Sequence, residues 1–323
     1  MHAAKPVAEV LAHPDTSIAL RNRLQLAQQI RAFASTTLHL PNNRSYQSYA
    51  DLKRPAVIWN VVATPALSLT LRTWCFPVAG CIGYRGYFVQ ADAQALARTL
   101  QTEGLDVRVY GVPAYSTLGW MNWAGGDPLL NTFIGYPEGD LAQLIFHELA
   151  HQVAYAPDDT AFNESFATLV EQRGGEAWLQ AHASDAVRAR FANAEQRRNA
   201  FRALAQATRQ RLAAIYAENM TPAAESTAVL AIKKETIDDF KAQYAALRAR
   251  SGGDPAVWLS YDRWVADANN ATFATQAAYN ELVPDFDVLF LRLNGDWPRF
   301  YDAVKRLAAL PPQERRAALR GGG

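Results

Sequence analysis

The run Leu144-Ile145-Phe146-His147-Glu148-Leu149-Ala150-His151 constrains this chain more than any other stretch. A His-Glu-x-x-His spacing has chemical meaning only on an α-helix, where positions i and i+4 share a face. His147 and His151 then present two imidazoles to one point, and Glu148 leans toward it. Leu144, Ile145, Leu149 and Val153 supply the buried side that such a helix needs. The plain alternative is a helix with two surface or capped histidines and one solvated glutamate.

The next stretch, Phe162-Asn163-Glu164-Ser165-Phe166-Ala167-Thr168-Leu169-Val170-Glu171, follows a loop around Pro157, Asp158 and Asp159. It reads as a second helix with Asp159 or Thr160 as N-cap. An antiparallel return brings Glu164 alongside the histidines. Two histidines and one carboxylate, with a fourth position open for water, are the pattern of a catalytic zinc site, here one Zn2+ per chain. Glu148 has the chemical type and position of the proton-transferring carboxylate. Glu171 lies two turns beyond Glu164 on the same face and either orients a ligand histidine or faces solvent; Thr168 is a competing orienter.

Asn163-Glu164-x-Phe166-Ala167, with Glu171 beyond it, resembles the second-helix signature of gluzincin metallopeptidases. In their aminopeptidase N-like branch the first Glu of that signature is the third zinc ligand, a role the resemblance carries to Glu164. The likeness extends to a bacterial family labelled as predicted aminopeptidases through Trp74–Cys81, Tyr84–Phe88, Ala114–Trp120 and Asp127–Thr132. The gap from His151 to Glu164 is shorter than in most aminopeptidase N-like enzymes, and the chain has no Gly-x-Met-Glu-Asn stretch. A peptidase of this type also needs a donor for the tetrahedral oxyanion. The other histidines, His2, His13, His39 and His182, lie outside the C-terminal helices, so a tyrosine is the better candidate. Tyr279 sits in a stretch that also resembles the bacterial family; Tyr261 and Tyr155 are rivals, and a core tyrosine is the structural alternative.

Net charge is +1 with no strongly basic block, which argues against nucleic acid as a partner. No apolar run approaches the ~20 residues needed to cross a bilayer. The first residues lack the apolar core of a signal peptide. Two expectations follow: a cytoplasmic protein or, as the resemblance implies, a periplasmic or outer-membrane-anchored lipoprotein whose precursor carries the export signal and lipid anchor. Cys75 and Cys81 are either a disulfide or two reduced, buried thiols.

Periodicity predicts helices over Asp15–Thr37 and Ala91–Thr102, and strands over Ala56–Val62, Leu67–Arg72, Tyr84–Val89 and Leu105–Tyr110. Ala114–Gly119 is a candidate cleft-edge strand for pairing with a substrate backbone. The metal helix is expected over Asp140–Tyr155, and the glutamate helix over Thr160–Gln172, closed by Gly174-Gly175. Long helices follow over Ala186–Asn219 and Thr221–Arg250. The expected fold class is α+β: a small N-terminal mixed sheet with helices in 1–139, then a largely helical part, 140–323, carrying a zincin-like two-helix site. The expected activity is zinc-dependent peptide hydrolysis, foremost removal of N-terminal residues from short peptides. The alternatives are a narrow-range zinc endopeptidase and a non-catalytic peptide-binding module.

Overall fold

The computed structural model describes residues 4–76, 80–114, 125–157, 159–218, 226–275 and 282–321. In chain order the elements are β1 (Lys5–Pro6), α1 (Val7–Ala12), α2 (Ile18–Thr36), β2 (Ser48–Ala50), β3 (Ile58–Pro65), β4 (Trp74–Phe76), β5 (Gly80–Ile82), β6 (Arg85–Tyr87), α3 (Gln90–Thr102), β7 (Leu105–Val112) and β8 (Leu129–Leu130). Then follow α4 (Glu138–Ala150), α5 (Thr160–His182), α6 (Asp185–Glu218), α7 (Ser226–Ser251), α8 (Leu259–Ala266), α9 (Asn270–Ala274), α10 (Val283–Arg292), α11 (Trp297–Ala308) and α12 (Pro312–Gly321). The fold is mixed α+β, mostly helical, with small sheets. The chain divides into two compact units, one of 1–57, 113–191 and 278–323, the other of 58–112 and 192–277.

The first unit contains α4 and α5. Their register runs in opposite directions: Trp178 Nε1 donates to Glu138 Oε1 at 3.1 Å, while His147 at the other end of α4 meets Glu171. Side chains from α2, α4, α5, α10 and α11 form one core that includes Leu24, Phe33, Phe146, Phe162, Phe166, Trp178, Phe286 and Phe300. A small mixed sheet lies in the same unit, with β1 antiparallel and β8 parallel to β2.

In the second unit β3 is the centre of an antiparallel sheet ordered β6-β3-β7. Val61 and Ala63 of β3 pack with Ala93, Ala97 and Leu100 of α3. Phe201, Phe240, Trp258 and Phe273 centre a helical core. β4 and β5 pair antiparallel with Cys75 opposite Cys81, and the two are joined by a disulfide.

Three expectations are corrected. Leu67–Arg72 is a connection, not a strand: Ser68 N turns back onto Pro65 O, and Leu69 packs against the helical core instead of a strand neighbour. The metal helix ends at Ala150, not Tyr155; Gln152 N and Val153 N bond to Leu149 O and Ala150 O, the i→i+3 pattern of a tightened last turn. Gly174 and Gly175 do not close the glutamate helix, which runs on to His182. A Cβ on Gly174 would lie 2.9 Å from Phe146 Cδ2, and one on Gly175 2.7 Å from Gln143 Cγ. These glycines let α4 and α5 approach closely; they serve packing and not a turn. The candidate cleft strand Ala114–Gly119 lies outside the described residues except for Ala114, which packs against the core. Among the described residues no helix is long and apolar enough to cross a membrane.

Candidate metal centre

α4 buries Leu141, Ile145, Phe146, Leu149 and Ala150 completely, so its other face is set by the core, and that face carries His147, Glu148 and His151. α5 is fixed at its start by two side chains. Asp159 caps it, accepting from Phe162 N at 3.1 Å, while its second oxygen takes Arg315 Nη1 at 2.5 Å in the interior. Asn163 closes both ends of its amide on one residue of the connection, accepting from Ala156 N and donating to Ala156 O, each at 2.8 Å. The residue before Glu164 is thereby locked.

His147 Nε2 and His151 Nε2 are 3.2 Å apart. Glu164 reaches both, with Oε2 at 3.4 Å from His147 Nε2 and Oε1 at 3.7 Å from His151 Nε2. One ligand atom from each of the three residues falls within 4.8 Å of the others, a group that could hold a metal ion. On the far side of the His147 ring, Nδ1 is 2.9 Å from Glu171 Oε2. With Glu171 Oε2 accepting from Nδ1–H, Nε2 is the nitrogen that faces His151 and Glu164. The sequence-derived residues His147, Glu148, His151, Glu164 and Glu171 are thus brought together on two helices.

Their ionisation follows from burial and crowding. Burial pushes the Glu148 carboxyl up to about 7, with the charges of Glu164, Asp127 and Glu171 adding to the effect and His147 opposing it. Burial and the neighbouring His147 lower His151 to about 4. Burial pulls His147 down, but hydrogen bonds to Glu164 and Glu171 outweigh it and raise the imidazole to about 10. Burial likewise works against ionised Glu164, yet the two histidines hold its carboxyl below the ordinary value.

A second set of residues, absent from the sequence-derived candidates, lies beside Glu148. Burial raises the Tyr46 phenol well above its ordinary value, and the charges of Glu148 and Asp127 raise it further. Tyr46 has φ +65°, a strained conformation for a bulky residue, and its N–H donates to Asp127 O at 2.6 Å. The one readable signal was Gln152, a polar residue directly after the second histidine and four beyond Glu148. Tyr279 lies outside the described residues. Of its rivals, Tyr155 follows α4 and is 50% exposed, and Tyr261 packs edge-on against Phe201 in the second unit.

No curated protein and no solved structure matches the chain. Residues 1–319 match the model of the family described as "Putative aminopeptidase". By that match over almost its whole length, the chain belongs to the putative aminopeptidase family.

Proposed function

We propose that the protein is a zinc-dependent aminopeptidase that removes N-terminal residues from short peptides. The observation that carries this reading is the convergence of His147 Nε2, His151 Nε2 and a Glu164 carboxylate oxygen beside Glu148. Donor atoms ~2.0–2.1 Å from a tetrahedral zinc stand about 3.4 Å from one another. The 3.2 Å between the two Nε2 atoms is close to that spacing, and Glu164 brings Oε2 to 3.4 Å from His147 Nε2 and Oε1 to 3.7 Å from His151 Nε2, with one donor atom from each residue inside 4.8 Å. His147, His151 and Glu164 would hold the ion.

Zinc, when bound, supplies Lewis acidity that polarises a carbonyl and makes water easier to deprotonate near neutral pH. Glu148 takes the proton from the attacking water and hands it to the leaving amine, the two transfers of a general base that then acts as a general acid. Glu171 holds the His147 ring so that Nε2 points into the site. Tyr279 is the proposed donor to the developing oxyanion. The reading includes an extracytoplasmic location, supported by the Cys75–Cys81 disulfide, because such bonds persist in oxidising compartments.

The test is digestion of matched short peptides with free or acetylated N-termini by the zinc-loaded chain. Release of N-terminal residues from the free peptides alone is the expected result. Cleavage of the acetylated set at internal bonds would replace the aminopeptidase reading with an endopeptidase. A chain that takes up zinc but cleaves neither set would favour a binding module.

A further inference from the structure

We propose that Gln152 is a positioning residue that fixes the ligand-bearing end of the metal helix; the inference rests on the metal reading above. Hydrogen-bonded α4 stops at Ala150, so His151 sits at its C-cap, where a helix end is prone to fray. A metal ligand at that place needs support from outside the helix.

Gln152 supplies it through both ends of its amide. Its Oε1 accepts from Asn43 Nδ2 at 2.6 Å, and its Nε2 donates to Ser45 Oγ at 3.2 Å and to Asp127 Oδ2 at 3.4 Å. The orientation is determined, because the Asp127 carboxylate can only accept and Asn43 Oδ1 is already taken by Ser45 N at 3.0 Å. The partners are themselves held. Ser45 is fully buried, its Oγ accepts from Asp127 N at 3.2 Å, and its carbonyl accepts from Arg31 Nε at 3.0 Å. Arg31, buried on α2, also takes the carbonyls of Pro41 and Asn43 at 2.7 and 3.2 Å. Gln28 of the same helix holds Tyr46 O at 2.9 Å, which keeps the left-handed Tyr46 in place. The frame therefore runs from α2 through the Pro41–Tyr46 turn to Gln152, the residue bonded to His151. It lies on the Glu148 side of α4, since Glu148 and Gln152 are four apart and the backbone stays helical or tightly turned between them.

The test is the zinc dissociation constant of the full chain, read by competition with a chromophoric chelator, beside the melting temperature without metal. Gln152→Ala should weaken zinc by about tenfold, the low end of the effect of removing a group bonded directly to a ligand, because Gln152 acts on His151 through the backbone. Asn43→Ala attacks the same link from the other side and serves if Gln152→Ala does not fold. The double variant should bind no more weakly than the worse single one, because both break one connection. Tyr301→Phe, which removes a bond to Leu38 O in the core, is the control for lost stability. Unchanged zinc affinity in both single variants would overturn the proposal, as would an equal loss in the control at matched melting temperature. If the wild-type chain itself takes up no zinc, the metal reading fails and this inference with it.

Discussion

The 2.9 Å contact between His147 Nδ1 and Glu171 Oε2 links two helices at residues 24 apart in sequence. It sets the orientation of the His147 ring and leaves Nε2 as the nitrogen that faces the site. Glu171→Ala should therefore weaken zinc by about 10–100-fold, whereas a solvent-facing carboxylate would leave it unchanged. Chelator competition on the purified variant measures the difference.

Zinc uptake should release at least one proton per chain at pH 7, one from His147 and a further share from Glu148, which is half protonated there. In the metal-free chain His147 is held protonated, its pKa raised to about 10, while His151 at about 4 is already neutral. An imidazole must shed its proton to bind through Nε2. Falling pH strengthens the competing proton, so zinc affinity should fall as pH falls below the raised His147 value. Titration calorimetry in buffers of different ionisation enthalpy counts the protons. A count of zero would show that His147 is neutral before the metal arrives.

Gly174→Ala should destabilise the fold despite the better helix propensity of alanine. The propensity gain is about 1 kcal/mol. Against it, the new Cβ would stand 2.7 Å from Leu38 Cδ1 and 2.9 Å from Phe146 Cδ2, both in the closed core. Overpacking of this kind costs about 1–3 kcal/mol. A melting temperature equal to or above that of the wild type would show that α4 and α5 have room to separate.

The site was more legible than the packing around it. Four-residue spacing puts His147 and His151 on one face whatever the rest of the chain does, and the seven-residue separation of Glu164 and Glu171 does the same on α5. Gly174-Gly175 misled because glycine marks helix ends by a local rule, whereas here the neighbouring helix requires the missing Cβ. Leu67–Arg72 misled because its alternation is satisfied by Leu69 packing on helices. Gln152 could be read as a polar residue beside the second histidine, but what it binds could not, because Asn43 and Ser45 lie 109 and 107 residues away. Spacing alone left Cys75 and Cys81 open, and only the register of β4 with β5 sets them opposite one another.

Tyr279→Phe should lower kcat by roughly 10²–10³ with zinc content unchanged, the usual loss for one oxyanion donor. A core tyrosine would instead lose thermal stability and little kcat. In that case Tyr155→Phe is the next variant to assay.

Zinc content per chain, measured on the wild type and on His147→Ala after dialysis against metal-free buffer, tests the central assignment most directly. The two imidazoles and Glu164 form one donor set, so the wild type should retain one zinc and the variant essentially none. One tightly held zinc in His147→Ala would contradict the assignment.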